Sequence, residues 1–455
     1  MEKNIYELKE TSKHIVNNVN IFFKEHGFKK LLKSNAFKKI EGVPCLDVLK
    51  TIFTLIFTGK NWYRTIKDDN GRLGYKKDVV YRFLNSFKYK WEKLLLSLSS
   101  RIISWLNSLV SKDRASVLIA DDTFYNRTRS KKVELLSRVY DHVDNKIKKG
   151  FTKLTLGWSD GNTYIPISFH LLCSSKNLLT PSTYVNEKYP GHKRRENAKR
   201  KKTDLLVEMV KVVQDKSICF KYLLFDSWFA FPKLITRFVQ MKVQIITMLK
   251  KMPKVFYEYG GKELTLSSIY SKIKSKLTKK NNIVSVNVFV CNYNAGVKTK
   301  AKIVFIRDTK TKKWVALLST DTNLSDEEII RIYGKRWNIE IFFKMCKSYL
   351  KLAKEFEGRI FDMLAAHTTI VYLRYIMLAV ASRKTNDHKT FGDLFFNCCD
   401  EVKDISFFEA LQLILVLLKE YLKNKFSISD KKIHELLDAF ITSLPPFLKE
   451  NLSIK

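Results

Sequence analysis

The sequence predicts an α/β fold in which a mixed sheet is flanked by helices. A β-rich stretch precedes one long helix, and helical regions stand at both ends. Three observations lead there. Residues 1–110 carry apolar side chains at helical spacing, and the chain returns to that period after about residue 323. Between residues 111 and 250, short apolar runs of strand length alternate with amphipathic helical stretches. Residues 251–322 hold strand-like segments separated by Gly- and Lys-containing turns. At 455 residues, the chain is long enough for two or three structural units.

Each element has its own signal. "CLDVLKTIFTLIFTG" and "KWEKLLLSLSSRIISWLNSLV" repeat the helical period, and Gly42 and Pro44 punctuate the gap before them. "SVLIADDT" is a short apolar run that ends in acids, as a buried strand does where it emerges. "FTKLTLGW" and "TYIPISFHLL", joined through Ser159-Asp160-Gly161-Asn162, predict a hairpin with an Asp-Gly turn. The basic "HKRRENAKRKK" leads into the helical "TDLLVEMVKVVQ". "CFKYLLFDSWF" is a second buried strand ending in an acid, followed by a helix, "FPKLITRFVQ", and a strand, "VQIITMLKK".

"NNIVSVNVFVCNYN", "TKAKIVFIRD" and "KKWVALLST" supply the β-rich segment. Ser325-x-x-Glu328 is a capping box that opens the next helix. "HTTIVYLRYIMLAVASR" is interrupted by Arg374 and too short for a membrane span, so a buried core helix is expected.

Composition narrows the class. An apolar content of 45% with 13% aromatic residues marks a folded chain. Lys and Arg number 83 against 45 Asp and Glu, a formal net charge of +38. With a pI near 9.8, that points to a polyanionic partner, nucleic acid first. A lysine-rich proteome explains the bias of Lys over Arg but fits poorly with an excess of this size. The seven cysteines form no CxxC pair, so reduced and mostly buried thiols are expected. The N-terminal "MEKNIYELKE" has no apolar core of a signal peptide, which leads to the expectation of a cytoplasmic protein with no membrane association. His142, His170 and His367 lack metal-ligand spacing and are expected to be structural or exposed.

Three acids stand out. Asp121 follows Val117-Leu118-Ile119-Ala120, and Asp226 follows Tyr222-Leu223-Leu224-Phe225. Both therefore sit where a buried strand emerges, the usual place for ligands in an open α/β sheet. If the strands are neighbours, two carboxylates converge, and their repulsion calls for a divalent cation with oxygen ligands, Mg²⁺ or Mn²⁺. A third acid, Glu340, lies in "RIYGKRWNIEIFFKMCK". There Tyr333, Arg336, Glu340 and Lys347 stand at offsets of 0, 3, 7 and 14, near whole turns, so one helix is expected to present all four on one face. Ordinary surface ion pairs share this pattern, and a lone Asp at a strand end is often a turn or cap residue.

Taken together, the motifs resemble those of bacterial DDE transposases of the large "insertion sequence four" family. Tyr333-x2-Arg336-x3-Glu340-x6-Lys347 is similar to that family's Y-R-E-K signature, "IADDT" to its first-acid motif and "LFDSWFA" to its second. The acids are separated by 105 and 114 positions, which fits a ribonuclease-H-like core interrupted by a β-rich insert. The resemblance covers residues 115–350. The second motif departs mildly from the family, with Ser227-Trp228-Phe229 where a small residue is commoner before the aromatic.

The resemblance implies cut-and-paste transposition of an insertion sequence, by metal-dependent phosphodiester hydrolysis and strand transfer through a DNA hairpin. Asp121, Asp226 and Glu340 would be the catalytic, metal-binding triad with two Mg²⁺ ions, for which Mn²⁺ can substitute. Asp122 competes with Asp121, but neighbours on a strand face opposite ways and the family's Asp-x-Thr register, with Thr123, favours Asp121. Tyr333, Arg336 and Lys347 would contact phosphates of the transposon end, and Trp314 occupies the place of a base-stacking Trp, although a packed strand Trp has the same sequence context.

Lys193, Arg194, Arg195 and Arg200 belong to seven bases within ten residues and are read as phosphate contacts, against the alternative of a solvated loop. Arg127, Arg129, Lys131 and Lys132 invite the same reading. Trp337 is expected to pack.

The implied organisation is a helical DNA-end-binding region (1–110), a core in two parts (111–250 and 323–385) around the β-rich insertion (251–322), and a helical region for dimerisation (386–455). The implied partners are terminal inverted repeats, target DNA and a second copy in a synaptic complex, in a prokaryotic, nucleoid-associated setting. A structure-specific nuclease of ribonuclease-H-like type and a domesticated, transposase-derived DNA-binding protein are the alternatives.

Overall fold

In the computed structural model, residues 18–68, 74–109, 114–141, 144–277, 282–308, 310–311, 313–384, 390–426 and 428–445 are described; His142 lies outside them. Eleven strands form one sheet: β1 Val117–Asn126, β2 Ser137–Asp141, β3 Lys146–Ser159, β4 Tyr164–Leu172, β5 Tyr222–Phe225, β6 Gln244–Leu249, β7 Phe256–Tyr259, β8 Lys262–Thr265, β9 Ile283–Asn292, β10 Val297–Arg307 and β11 Trp314–Ser319. Their order is β2-β3-β1-β5-β6-β11-β10-β9-β7-β8, with β4 paired to β3. The antiparallel β4-β3-β1 set followed by parallel β5 and β6 is a mixed sheet flanked by helices, consistent with a ribonuclease-H-like fold.

The apolar runs become the strands because they are covered on both faces. Val117 to Ala120 and Tyr222 to Phe225 have essentially no exposed surface. The β3–β4 hairpin turns at Asp160-Gly161, where the Asp160 carboxylate accepts the N–H groups of Asn162 at 2.8 Å and Thr163 at 2.7 Å. Gly161 has φ +100°, a conformation that disfavours any side chain.

The β-rich segment is not set apart from the core. Strand β11 pairs antiparallel with β6, from Ala316 opposite Leu249 to Ser319 opposite Ile246, so the segment continues the core sheet. Strands β2, β7 and β8 are additions that the sequence pattern does not announce. Each is only four or five residues long, too short for alternation to register.

The helix Phe361–Lys384 is apolar and long enough to cross a membrane by length and composition, but it is enclosed by protein. It packs against helix Trp91–Ser108, strand β4 and helix Trp337–Ser348. Its one internal cation, Arg374, is wholly buried. The Arg374 guanidinium donates to both Glu355 carboxylate oxygens, at 2.6 and 2.9 Å, and to the carbonyl oxygens of Phe53 at 3.0 Å and of Ile52. His367 adds a third contact to Glu355 at 2.9 Å. This cluster fastens the N-terminal helix Cys45–Leu55 to the core helix.

Burial alone would raise the Glu355 carboxyl. The Arg374 charge and the His367 and Arg374 bonds outweigh it and hold the group down at about 2, against an ordinary 4.5. Because the folded value is depressed, the stabilisation is complete above about pH 4.5 and is lost as pH falls toward 2. Arg374→Met leaves a buried carboxylate unpaired and is expected to cost ~3–5 kcal/mol at neutral pH. Urea unfolding across pH 7 to 2 is expected to show the gap between wild type and variant narrowing below about pH 4.5.

Candidate active site at the carboxyl edge of the sheet

Strands β1 and β5 are parallel neighbours in register, with Ala120 opposite Phe225. The next residue after each is an acid, Asp121 continuing β1 and Asp226 just beyond the end of β5, so the two carboxylates lie within electrostatic reach of each other. Asp121 is only 9% exposed. Burial first, and then the neighbouring charge of Asp226, push its carboxyl up to about 8, while Arg336 pulls the other way. Asp226 is also raised, chiefly by burial, with the Trp228 backbone N–H at 3.0 Å opposing this. Asp226 lies within electrostatic reach of both acids of β1.

Asp121 and Asp122 point to different partners. Asp121 accepts a bond from Arg336 at 3.2 Å. Asp122 is paired with Lys202, whose ammonium lies 3.0 Å from the centroid of the Trp228 ring. Lys202 and Trp228 therefore form part of the cluster's surroundings, a placement that the sequence reading missed. Their signal was present in the basic run and in the unusual Trp after Asp226-Ser227, but pairing across 80 positions has no local trace.

The single helix expected through Tyr333 to Lys347 is interrupted. One helix runs Asp326–Gly334, capped by the Ser325–Glu328 box, and a second runs Trp337–Ser348. At the join, the N–H groups of Arg336, Asn338 and Ile339 bond three residues back, to Tyr333, Lys335 and Arg336, which tightens the backbone. Gly334 weakens the helix there, and the Lys335 ammonium is drawn to the carbonyl oxygens of Ala115, at 2.5 Å, and Asp160, at 3.4 Å.

The four side chains still converge on one region. Arg336 spans Asp121 and Glu340, at 3.2 Å to each. Lys347 donates to the Thr123 hydroxyl at 2.6 Å. The Tyr333 hydroxyl lies against the Met248 backbone and is pushed up to about 12, burial being the main cause and that backbone contact opposing it. Trp337 is 62% exposed, which corrects the expectation that it packs. The buried side of its helix is formed instead by Ile339, Phe342, Phe343 and Cys346.

Two neighbouring carboxylates with oxygen donors, both raised by burial and by neighbouring acidic charge, form a donor set that fits a hard divalent cation. Arg336 supplies the positive charge there and holds Glu340 to one side. Among the described residues, no group of three His, Cys, Asp or Glu side chains is arranged to hold a metal ion.

Trp314 begins β11 at this same edge of the sheet, two strands from β5. It is half-buried, stacked on Tyr270 at 4.4 Å and edge-on to Phe305, with the Lys251 ammonium 3.9 Å from its ring centroid.

The basic stretch from residue 193 needs correction. It forms a helix, Pro190–Ala198, with Arg194 6% and Arg195 3% exposed, so neither can contact DNA as expected. Arg194 pairs with Glu92 and Asp362, and Arg195 with Glu134 and Asp362. Glu134 also accepts the N–H groups of Thr183 at 2.7 Å and Phe361 at 2.8 Å. The pattern of bases was legible, but their long-range acidic partners were not. Arg200 is bonded to Glu208, and Lys193 is exposed. Arg195→Ala is expected to lower stability by ~3–5 kcal/mol in urea unfolding by stranding buried carboxylates, while Lys193→Ala shifts it by less than about 0.5 kcal/mol.

The family model described as DDE superfamily endonuclease matches residues 70–260. That span includes Asp121 and Asp226 and ends before Glu340. No curated protein matches the chain. The family match, with the sheet topology, supports a DDE transposase-like nuclease; that family description implies a DNA substrate, and DDE endonuclease superfamily members use divalent metals.

Proposed function

We propose that this chain is a DDE transposase of the "insertion sequence four" type, which cuts and pastes DNA at terminal inverted repeats. The observation that carries the reading is the meeting of Asp121, on β1, with Asp226, just past β5, where Arg336 links Asp121 to Glu340. Asp121, Asp226 and Glu340 would hold Mg²⁺ or Mn²⁺, two ions per site. A cation pair held there supplies Lewis-acid activation of the attacking oxygen and stabilises the leaving oxygen of a phosphodiester.

The chain's own residues have distinct work. Arg336 is bonded to two acids, and a scissile phosphate entering the cluster gives its guanidinium a better anionic partner. A guanidinium turned to the phosphate would leave Asp121 and Glu340 as the oxygen donors that would hold a cation. Tyr333 brings a hydroxyl held beside the Met248 backbone, and Lys347 brings an ammonium now satisfied by the Thr123 hydroxyl. Both are placed to fix the phosphate backbone, not to read bases.

Trp314, at the same edge, would stack an unpaired base during hairpin formation, with Tyr270 supporting its ring. In this reading the helices up to residue 110 recognise the inverted repeats, and the helices Phe391–Phe426 and Asp430–Ser443 join two copies in a synaptic complex. A prokaryotic, nucleoid-associated location follows from such a substrate.

Purified protein with Mg²⁺ and the inverted-repeat ends from its own flanking DNA is expected to nick one strand. Glu340→Gln is expected to bind the same duplex within about twofold and to cut it at least 10²-fold more slowly. Wild-type cutting rates in Glu340→Gln would remove the acid from the site. Trp314→Ala is expected to nick normally and lose hairpin product on denaturing gels. Unchanged hairpin yield removes the stacking role.

A further inference from the structure

A cleft of about 1140 Å³ opens beside the far end of β1. Its floor includes Phe124, three residues past Asp121 and so roughly 10 Å along the strand. One wall is the segment after β1, with Arg129, Lys131 and Lys132, and the other carries Lys347, Lys354 and Arg359. Lys347 joins the cleft to the acid cluster, because its ammonium bonds Thr123, two residues from Asp121.

The cations of this cleft differ from the basic run at 193–202. In that run Arg194, Arg195, Lys199, Arg200 and Lys202 all have carboxylate partners. In the cleft Arg129, Lys131, Lys132, Lys354 and Arg359 are exposed and have no acidic partner among the described residues. Two of the cleft's three acids, Asp141 and Asp144, are both bonded to Lys148. An uncompensated positive lining on two facing walls is costly through self-repulsion unless an anion lies between them.

The width of the cleft is fixed. Arg127 is buried, and its guanidinium donates to the carbonyl oxygens of Ala353 and Phe356, tying one wall to the other. The Lys148 ammonium lies 5.8 Å from the Phe124 ring centroid, which places an aromatic face among the cations.

We infer that this cleft is the track for a single DNA strand running to or from the acid cluster. The inference rests on the nuclease reading of that cluster. A flexible strand, with phosphates to meet cations on both walls and unpaired bases free to meet an aromatic face, fits this lining; a duplex keeps its bases stacked and away from that face.

The test is binding, measured in EDTA so that no cutting is required. Full-length protein is titrated into a fluorescein-labelled single-stranded DNA 30-mer, its duplex and the matching single-stranded RNA, over a range of salt. Arg129→Ala/Lys131→Ala/Lys132→Ala is compared with the charge-matched Lys211→Ala/Lys216→Ala/Lys242→Ala, and Lys354→Ala/Arg359→Ala probes the other wall independently. The expected result is at least a tenfold loss of single-stranded DNA affinity for both cleft variants. Their salt slopes should fall by roughly 0.7 per cation removed. The charge-matched control should change by less than twofold.

Unaltered single-strand binding in both cleft variants overturns the inference. So does a loss confined to the duplex, or one seen with RNA and not DNA. The nuclease reading fails separately, by normal cutting in Glu340→Gln with Mg²⁺, and that outcome leaves the binding result intact.

Discussion

Two carboxylates repel each other where the parallel pairing of β1 with β5 ends, Asp121 within β1 and Asp226 just after β5, and neighbouring cations answer that repulsion. The register of β1 on β5 makes Asp121 and Asp226 neighbours. Burial removes the water that would screen them, so the Asp121 carboxyl rises to about 8. Arg336 answers with a guanidinium bonded to Asp121 and Glu340, and Lys202 does the same for Asp122. Such a site is short of positive charge by construction, a sound physical basis for binding cations and phosphates together.

The rest of the fold holds these charges where they are needed. The break at Lys335–Arg336 turns the second helix so that Arg336 and Lys347 both reach β1. Helix Phe361–Lys384 lies behind it and is fixed by Arg374 and Glu355, while Asp362 at its first turn meets Arg194 and Arg195. Basic residues thus divide into two populations. Arg194, Arg195 and Arg374, with long-range carboxylate partners, hold helices in place, whereas Arg129, Lys131, Lys132, Lys354 and Arg359 line the cleft beside the acids.

Much of this was legible in the sequence. The apolar run ending in Asp marked the end of β5, whereas β1 continues past Asp121 to Asn126; the Ser325–Glu328 box marked the start of the helix carrying Tyr333. The spacing of Tyr333, Arg336, Glu340 and Lys347 implied one helical face, whereas the helix is interrupted after Gly334, beside a Lys335 ammonium bonded to carbonyl oxygens 175 and 220 positions away. Arg194 and Arg195 looked like surface cations because their acids, Glu92, Glu134 and Asp362, are far off in sequence. The continuity of β11 with β6 was hidden for the same reason: strand pairing across some 70 residues leaves no local pattern.

The central claim is that Asp121 and Asp226 form the cation-binding pair and that Asp122, held by Lys202, does not. Titration of Mn²⁺ into the metal-free protein, followed by electron paramagnetic resonance, tests it without any DNA reaction. The predicted result is a tenfold or greater loss of Mn²⁺ affinity in Asp121→Asn and in Asp226→Asn, with Asp122→Asn close to wild type. Equal losses in Asp121→Asn and Asp122→Asn, or unchanged affinity in Asp226→Asn, would contradict it.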